Sequence, residues 1–88
     1  MNLRIEEIIT LDDGKDYIVA SYARHNGNIY YCFIDNEPSN KIKYYQENND
    51  SLALVENQEL INNLIPIFAQ NANYIFKAVL ENEILDYE

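Results

Sequence analysis

The chain has no tryptophan, one cysteine, one histidine and one methionine, and only two glycines and two prolines among its 88 residues. A lone cysteine closes no internal disulfide, so the fold is expected to stand on packing alone in a reducing, cytoplasmic setting. With two glycines a phosphate-cradling loop is hard to build. No G-x-G-x-x-G, P-loop, H-E-x-x-H, C-x-x-C or G-x-S-x-G pattern occurs, so neither cofactor, metal nor catalytic residue is expected. Basic residues are scarce as well: six Lys and Arg stand against fifteen Asp and Glu, for a net charge of −9. The imbalance is uneven, with a net −2 over residues 1–44 and a net −7 over residues 45–88. Such a balance repels phosphate backbones and anionic lipid, which disfavours direct nucleic-acid and membrane-surface binding; it serves solubility alone or attracts a basic protein partner. No run reaches the roughly 18 apolar residues of a spanning helix, and the acidic "MNLRIEEIITLDD" is no signal peptide.

Against these absences stand eight tyrosines and an apolar fraction of 48%, enough for one core in one domain, residues 1–88. The pattern divides it into a β-meander over 1–56 and a helical segment over 57–88. "LDDGKD" and "HNGN" place Asp13-Gly14 and Asn26-Gly27 between apolar runs, and both dipeptides suit the positive φ of type I′ turns. They join strands over Ile5–Leu11, Tyr17–Arg24 and Ile29–Ile34. "KIKYYQE" and "SLALV" supply a fourth and a fifth strand. From Asn57 the spacing of Leu60, Ile61, Leu64, Ile65 and Phe68 predicts a helix with Asn57 or Glu56 as cap and Glu59 in its first turn. Pro66 predicts its end or kink near Leu64–Ile65. Ile75, Phe76, Val79, Leu80 and Ile84 form a second apolar stripe. The fold class is α+β, an antiparallel meander of four to five strands with one or two C-terminal helices packed on it.

The only histidine and cysteine lie seven positions apart in "ARHNGNIYYCFID". A two-residue Asn26-Gly27 loop pairs His25 with Asn28 and Ser21 with Cys32, which leaves His25 beside the turn and Cys32 in mid-strand, roughly 23 Å apart along the chain. Neither a Cys–His nucleophile nor a shared metal site is available there. Carried further without a break, this register puts Tyr17, Val19, Ser21, Ala23, Tyr30, Cys32 and Ile34 on one face. Ile18, Ala20, Tyr22, Arg24, Ile29, Tyr31 and Phe33 fall on the other. Both faces are apolar, so two covers are needed. The Asn57–Leu64 helix is expected on one face and the Ile75–Ile84 stripe, from this chain or from a second copy in a homodimer, on the other. The candidate interaction or self-association face is Tyr22, Ile29, Tyr31 and Phe33, with Phe76 and Leu80. "LDDGKD" carries Asp12, Asp13 and Asp16, but Lys15 among them and the wrong spacing for a calcium loop make it a hairpin turn.

The order of signals, "IITLDDG", then "YIV" and "NGNIY", then "SLALV" and "ELINNL", resembles the YrzB-like family of small acidic bacterial proteins of unknown function. The resemblance covers roughly residues 5–68 and rests on Thr10, Gly14, Tyr17, Val19, Gly27, Tyr30, Leu54 and Val55. It implies a bacterial α+β protein and carries over no catalytic or ligand residue. Members of that family are denser in Glu and Asp and have a more polar second sheet face; this chain departs from both and adds Ala69–Glu88. The sequence thus reads as a non-catalytic protein–protein interaction module. The alternative is an acidic inhibitor borne by a phage or mobile element, whose carboxylates imitate DNA to block a nucleic-acid enzyme.

Overall fold

The computed structural model describes residues 3–35 and 41–72. Five strands, β1 (Ile8–Thr10), β2 (Asp16–His25), β3 (Asn28–Asp35), β4 (Ile42–Asn48) and β5 (Ser51–Leu54), form one antiparallel sheet in the order of the chain. Among the described residues one helix, α1 (Gln58–Asn71), packs on it, chiefly against β2. The second apolar stripe, with Phe76 and Leu80, lies outside the described residues.

Turn chemistry sets the sheet. Asn26 and Gly27 both take positive φ, 51° and 80°, which closes the two-residue loop and pairs His25 with Asn28. The first hairpin closes differently from its expected type I′ turn. Only Gly14 is left-handed there (φ 78°), and Leu11 accepts from the Gly14 N–H and donates to the Lys15 carbonyl, which makes a three-residue loop. β1 is also shorter than Ile5–Leu11. Glu6 takes φ 77°, and a turn at Arg4–Glu7 replaces the first half of the expected strand.

The largest difference from the expected register lies within β2. Pairing runs as anticipated from His25↔Asn28 to Ser21↔Cys32, then steps to Val19↔Phe33 and Ile18↔Ile34, so that Ala20 is an extra, unpaired residue. A bulge of this kind places two successive residues of one strand opposite one of its neighbour and reverses the alternation beyond it. Tyr17 and Val19 therefore leave the face expected for them and join Tyr31 and Phe33, while Ala20 moves to the α1 side.

Two cores result. On the α1 face, Ala20, Ala23, Tyr30, Cys32, Ile34 and Tyr44 meet Ile61, Leu64, Ile65, Phe68 and Ala69. On the second face Tyr17, Val19, Tyr31 and Phe33 are buried, and the described residues that pack on them include Leu3, Ile9 and Leu11 from the start of the chain. Part of the cover expected from the second stripe therefore comes from the N-terminal segment.

Helix α1 begins as expected: the Asn57 side chain accepts the Leu60 N–H at 3.0 Å, and Glu59 lies in the first turn. It does not stop at Pro66, which sits inside it on the exposed side. An interior proline costs about 3 kcal/mol. Beyond it the helix buries Phe68 and Ala69 completely or nearly so, and a fully buried large apolar side chain contributes about 1.5–3 kcal/mol. The far end is held by two further bonds, Ser21 Oγ donating to the Phe68 carbonyl at 2.6 Å and Asn71 Nδ2 donating to the Tyr22 carbonyl at 2.9 Å. Continuing the helix outweighs the proline.

Two stability changes follow, each read from denaturant unfolding. Ser21→Ala removes the side-chain donor to the buried Phe68 carbonyl and lowers stability by about 0.5–1.5 kcal/mol; an unchanged midpoint would dismiss the tie. Pro66→Ala restores a donor toward the Asn62 carbonyl on an exposed face and raises stability by up to about 3 kcal/mol.

Candidate functional site

The Asn26-Gly27 turn decides what the second face presents near the β2–β3 tip. Tyr22 pairs directly with Tyr31, and Arg24 with Ile29. These four side chains, with Arg4 and Glu47, line an open cleft of about 340 Å³. A second hollow of about 290 Å³ adjoins it across Arg24 and Ile29. Tyr22 is 42% exposed, Ile29 is half-buried and Tyr31 is buried. Phe33, expected beside them, is fully buried in the second core, stacked at 6.1 Å on Tyr31 and tilted at 5.4 Å against Tyr45. The structure thus brings together three of the anticipated residues at one surface and puts the fourth beneath it.

Tyr31 is the fixed floor of this cleft. Its hydroxyl bonds to the Leu3 backbone and to Glu47, and burial together with the Glu47 charge pushes its pKa above the usual phenol value. At neutral pH it is an uncharged donor. Arg4 and Arg24 are exposed, and their guanidinium groups form no ion pair among the described residues. In an acidic chain this surface is locally aromatic and cationic. It can seat an apolar side chain between Tyr22 and Ile29 and can offer planar donors at its rim.

Sequence reasoning missed Arg4 and Glu47. Glu47 was within reach, since extending the hairpin register to β4 pairs Tyr31 with Tyr45 and puts Glu47 two residues on, on the same face. Arg4 carried no signal, because the left-handed Glu6 that redirects residues before β1 is not a position the sequence marks.

The remaining polar clusters are structural. His25 lies beside the turn against Asn26, 3.3 Å from its amide, while Cys32 is buried in the α1 core. The "LDDGKD" loop is held by its own bonds. Asp13 Oδ2 accepts from the Tyr17 hydroxyl at 2.7 Å and from Lys43 Nζ at 3.0 Å, Asp13 Oδ1 accepts from the Lys15 N–H, and Asp16 accepts from Thr10 Oγ1. Lys43 Nζ also lies 5.2 Å from the centre of the Tyr17 ring. These contacts clamp the first hairpin over β3 onto β4. Among the described residues no group of His, Cys, Asp and Glu is placed to hold a metal ion, and no helix is long and apolar enough to cross a membrane.

The clamp is sensitive to acid. The Tyr17 hydroxyl, the Lys15 N–H and Lys43 hold the Asp13 carboxyl far below its ordinary value of 3.8. A lowered folded-state pKa adds stability that is present above the unfolded value and is lost as pH falls below it. Asp13→Asn should therefore melt at lower temperature than the natural chain at neutral pH. That gap should close as pH drops through 3.8 and below; a gap independent of pH would assign the clamp no such role.

Comparison with family models, with curated proteins and with solved structures finds no match to this chain.

Proposed function

We propose that this protein is a small, non-catalytic interaction module of the bacterial cytoplasm, acting by protein–protein contact through the Tyr22–Arg24–Ile29 surface. The observation that carries this reading is the cleft itself, where a 42% exposed tyrosine and two arginines surround apolar side chains on a rigid sheet. Tyrosine and arginine dominate binding energy at protein interfaces because each joins a broad apolar body to directional donors. The net charge of −9 favours a partner that is basic overall, since long-range attraction speeds encounter while the cleft sets the pose. Membership of the YrzB-like family is proposed on the same footing, from the turn and core residues named above, and adds no site.

The test is a photo-crosslinking amino acid placed at position 22 of the full chain in its own cells, with the same probe at Lys15, at the opposite end of β2, as control. A discrete adduct with another protein from position 22, weakened by Arg24→Ala and absent from position 15, is the expected result. No protein adduct at 22, or equal adducts at both positions, would falsify the reading.

A further inference from the structure

The two edges of the sheet are built differently. β1 is three residues long and is preceded by the left-handed turn at Glu6, which leaves little ladder to extend. β5 is open: it pairs with β4 and, among the described residues, with no other strand. The Val55 N–H donates to the Tyr44 carbonyl, so by the alternation of an antiparallel ladder Ala53 and Val55 bond inward while the backbone groups of Leu52 and Leu54 point outward. Sheet edges in natural proteins are commonly blunted by lysine, proline or a bulge. Ser51–Leu54 has none of these, and Leu54 is 49% exposed.

Charge decides what can add there. From Tyr44 to Phe76 the sequence carries no lysine or arginine, and exposed Asp50 and Glu56 stand at the two ends of β5. A second copy pairing antiparallel about Ala53 would set Asp50 of each chain opposite Glu56 of the other, and like charges directly opposed across a ladder repel. We propose that the β5 edge receives an extended segment of a basic protein partner, apolar at alternate positions and flanked by Lys or Arg, as a further strand of the sheet. Backbone bonds at Leu52 and Leu54 supply the affinity, Leu54 the apolar contact, and Asp50 and Glu56 the selection. The inference rests on the protein–protein reading above but uses a surface distinct from the Tyr22 cleft, so the two can fail separately.

The test titrates the isotope-labelled full chain with two blocked hexapeptides, Lys-Thr-Val-Thr-Val-Lys and its counterpart with Glu at both ends. The lysine peptide should shift the Leu52 and Leu54 amide resonances and slow their hydrogen exchange, with binding that weakens as salt is raised. Leu54→Pro removes an outward N–H and the leucine side chain but no inward ladder bond, so it should keep the fold and weaken binding by about tenfold. Asp50→Lys combined with Glu56→Lys, both exposed, should reverse the preference between the peptides. Equal binding of both peptides, binding of neither, or an unaffected proline variant would overturn the proposal. So would protection of Leu52 and Leu54 that rises with protein concentration alone, which would make the occupant a second copy.

Discussion

The fold depends on one extra residue in β2. Without Ala20 as a bulge, strict alternation would turn Tyr17 and Val19 toward α1 together with Ser21, and the second face would lose half of its buried core. With it, Ala20 and Ser21 both serve the helix side, and Ser21 Oγ reaches the Phe68 carbonyl at 2.6 Å. That carbonyl belongs to the last turn of α1, so the bond ties the far end of the helix to β2. The bulge thus does two things at once: it divides the apolar residues between two cores and anchors the end of a helix that a proline would otherwise loosen.

From this division follows the placing of the polar groups. Tyr17, turned to the second face, points its hydroxyl at Asp13, and Lys43 closes the triangle from β4. The first hairpin is thereby bound to a strand two places away in the sheet. At the other end of β2 the same face carries Tyr22 and Arg24, whose neighbours across the hairpin, Tyr31 and Ile29, complete the cleft. One end of the face is closed by a buried ring and an ion pair, and the other is left open with two arginines at its rim. The difference is local charge pairing: Lys43 has Asp13, while Arg4 and Arg24 have no such partner among the described residues.

How much was legible in the sequence tracks how local each determinant is. Asn26-Gly27 fixes its own turn through two positive φ angles, so the register from His25 to Ser21 and the sharing of one face by Tyr22, Ile29 and Tyr31 follow from the order of residues alone. The Asn57 cap and the first turn of α1 were legible for the same reason. The bulge was not, because Ala20 has no chemistry that marks it; its position is set by which side chains best fill the two cores. Pro66 misled because a local penalty was weighed without the burial of Phe68 and Ala69 and the two bonds from β2 that oppose it. Phe33 was expected at the interaction face for a related reason. Alternation gave the correct face but not the depth, which depends on how Leu3, Ile9 and Leu11 wrap across it.

The sheet also separates its charges in a way that composition alone does not. A net −9 would make a uniform surface repel any acidic partner and attract any basic one without regard to orientation. Here the arginines stand at the β2–β3 tip, while carboxylates alone, Asp50, Glu56 and Glu59, flank β5 and open α1. β3 and β4 lie between those two regions, holding them at fixed positions on one rigid sheet. On the proposed reading an approaching protein would meet a dipolar pattern, and of the orientations in which it is attracted few would also match the apolar side chains at either end. On the proposed protein–protein reading, charge would select orientation before contact, and Tyr22 and Ile29 at one end and the Leu54 edge at the other would select it afterwards.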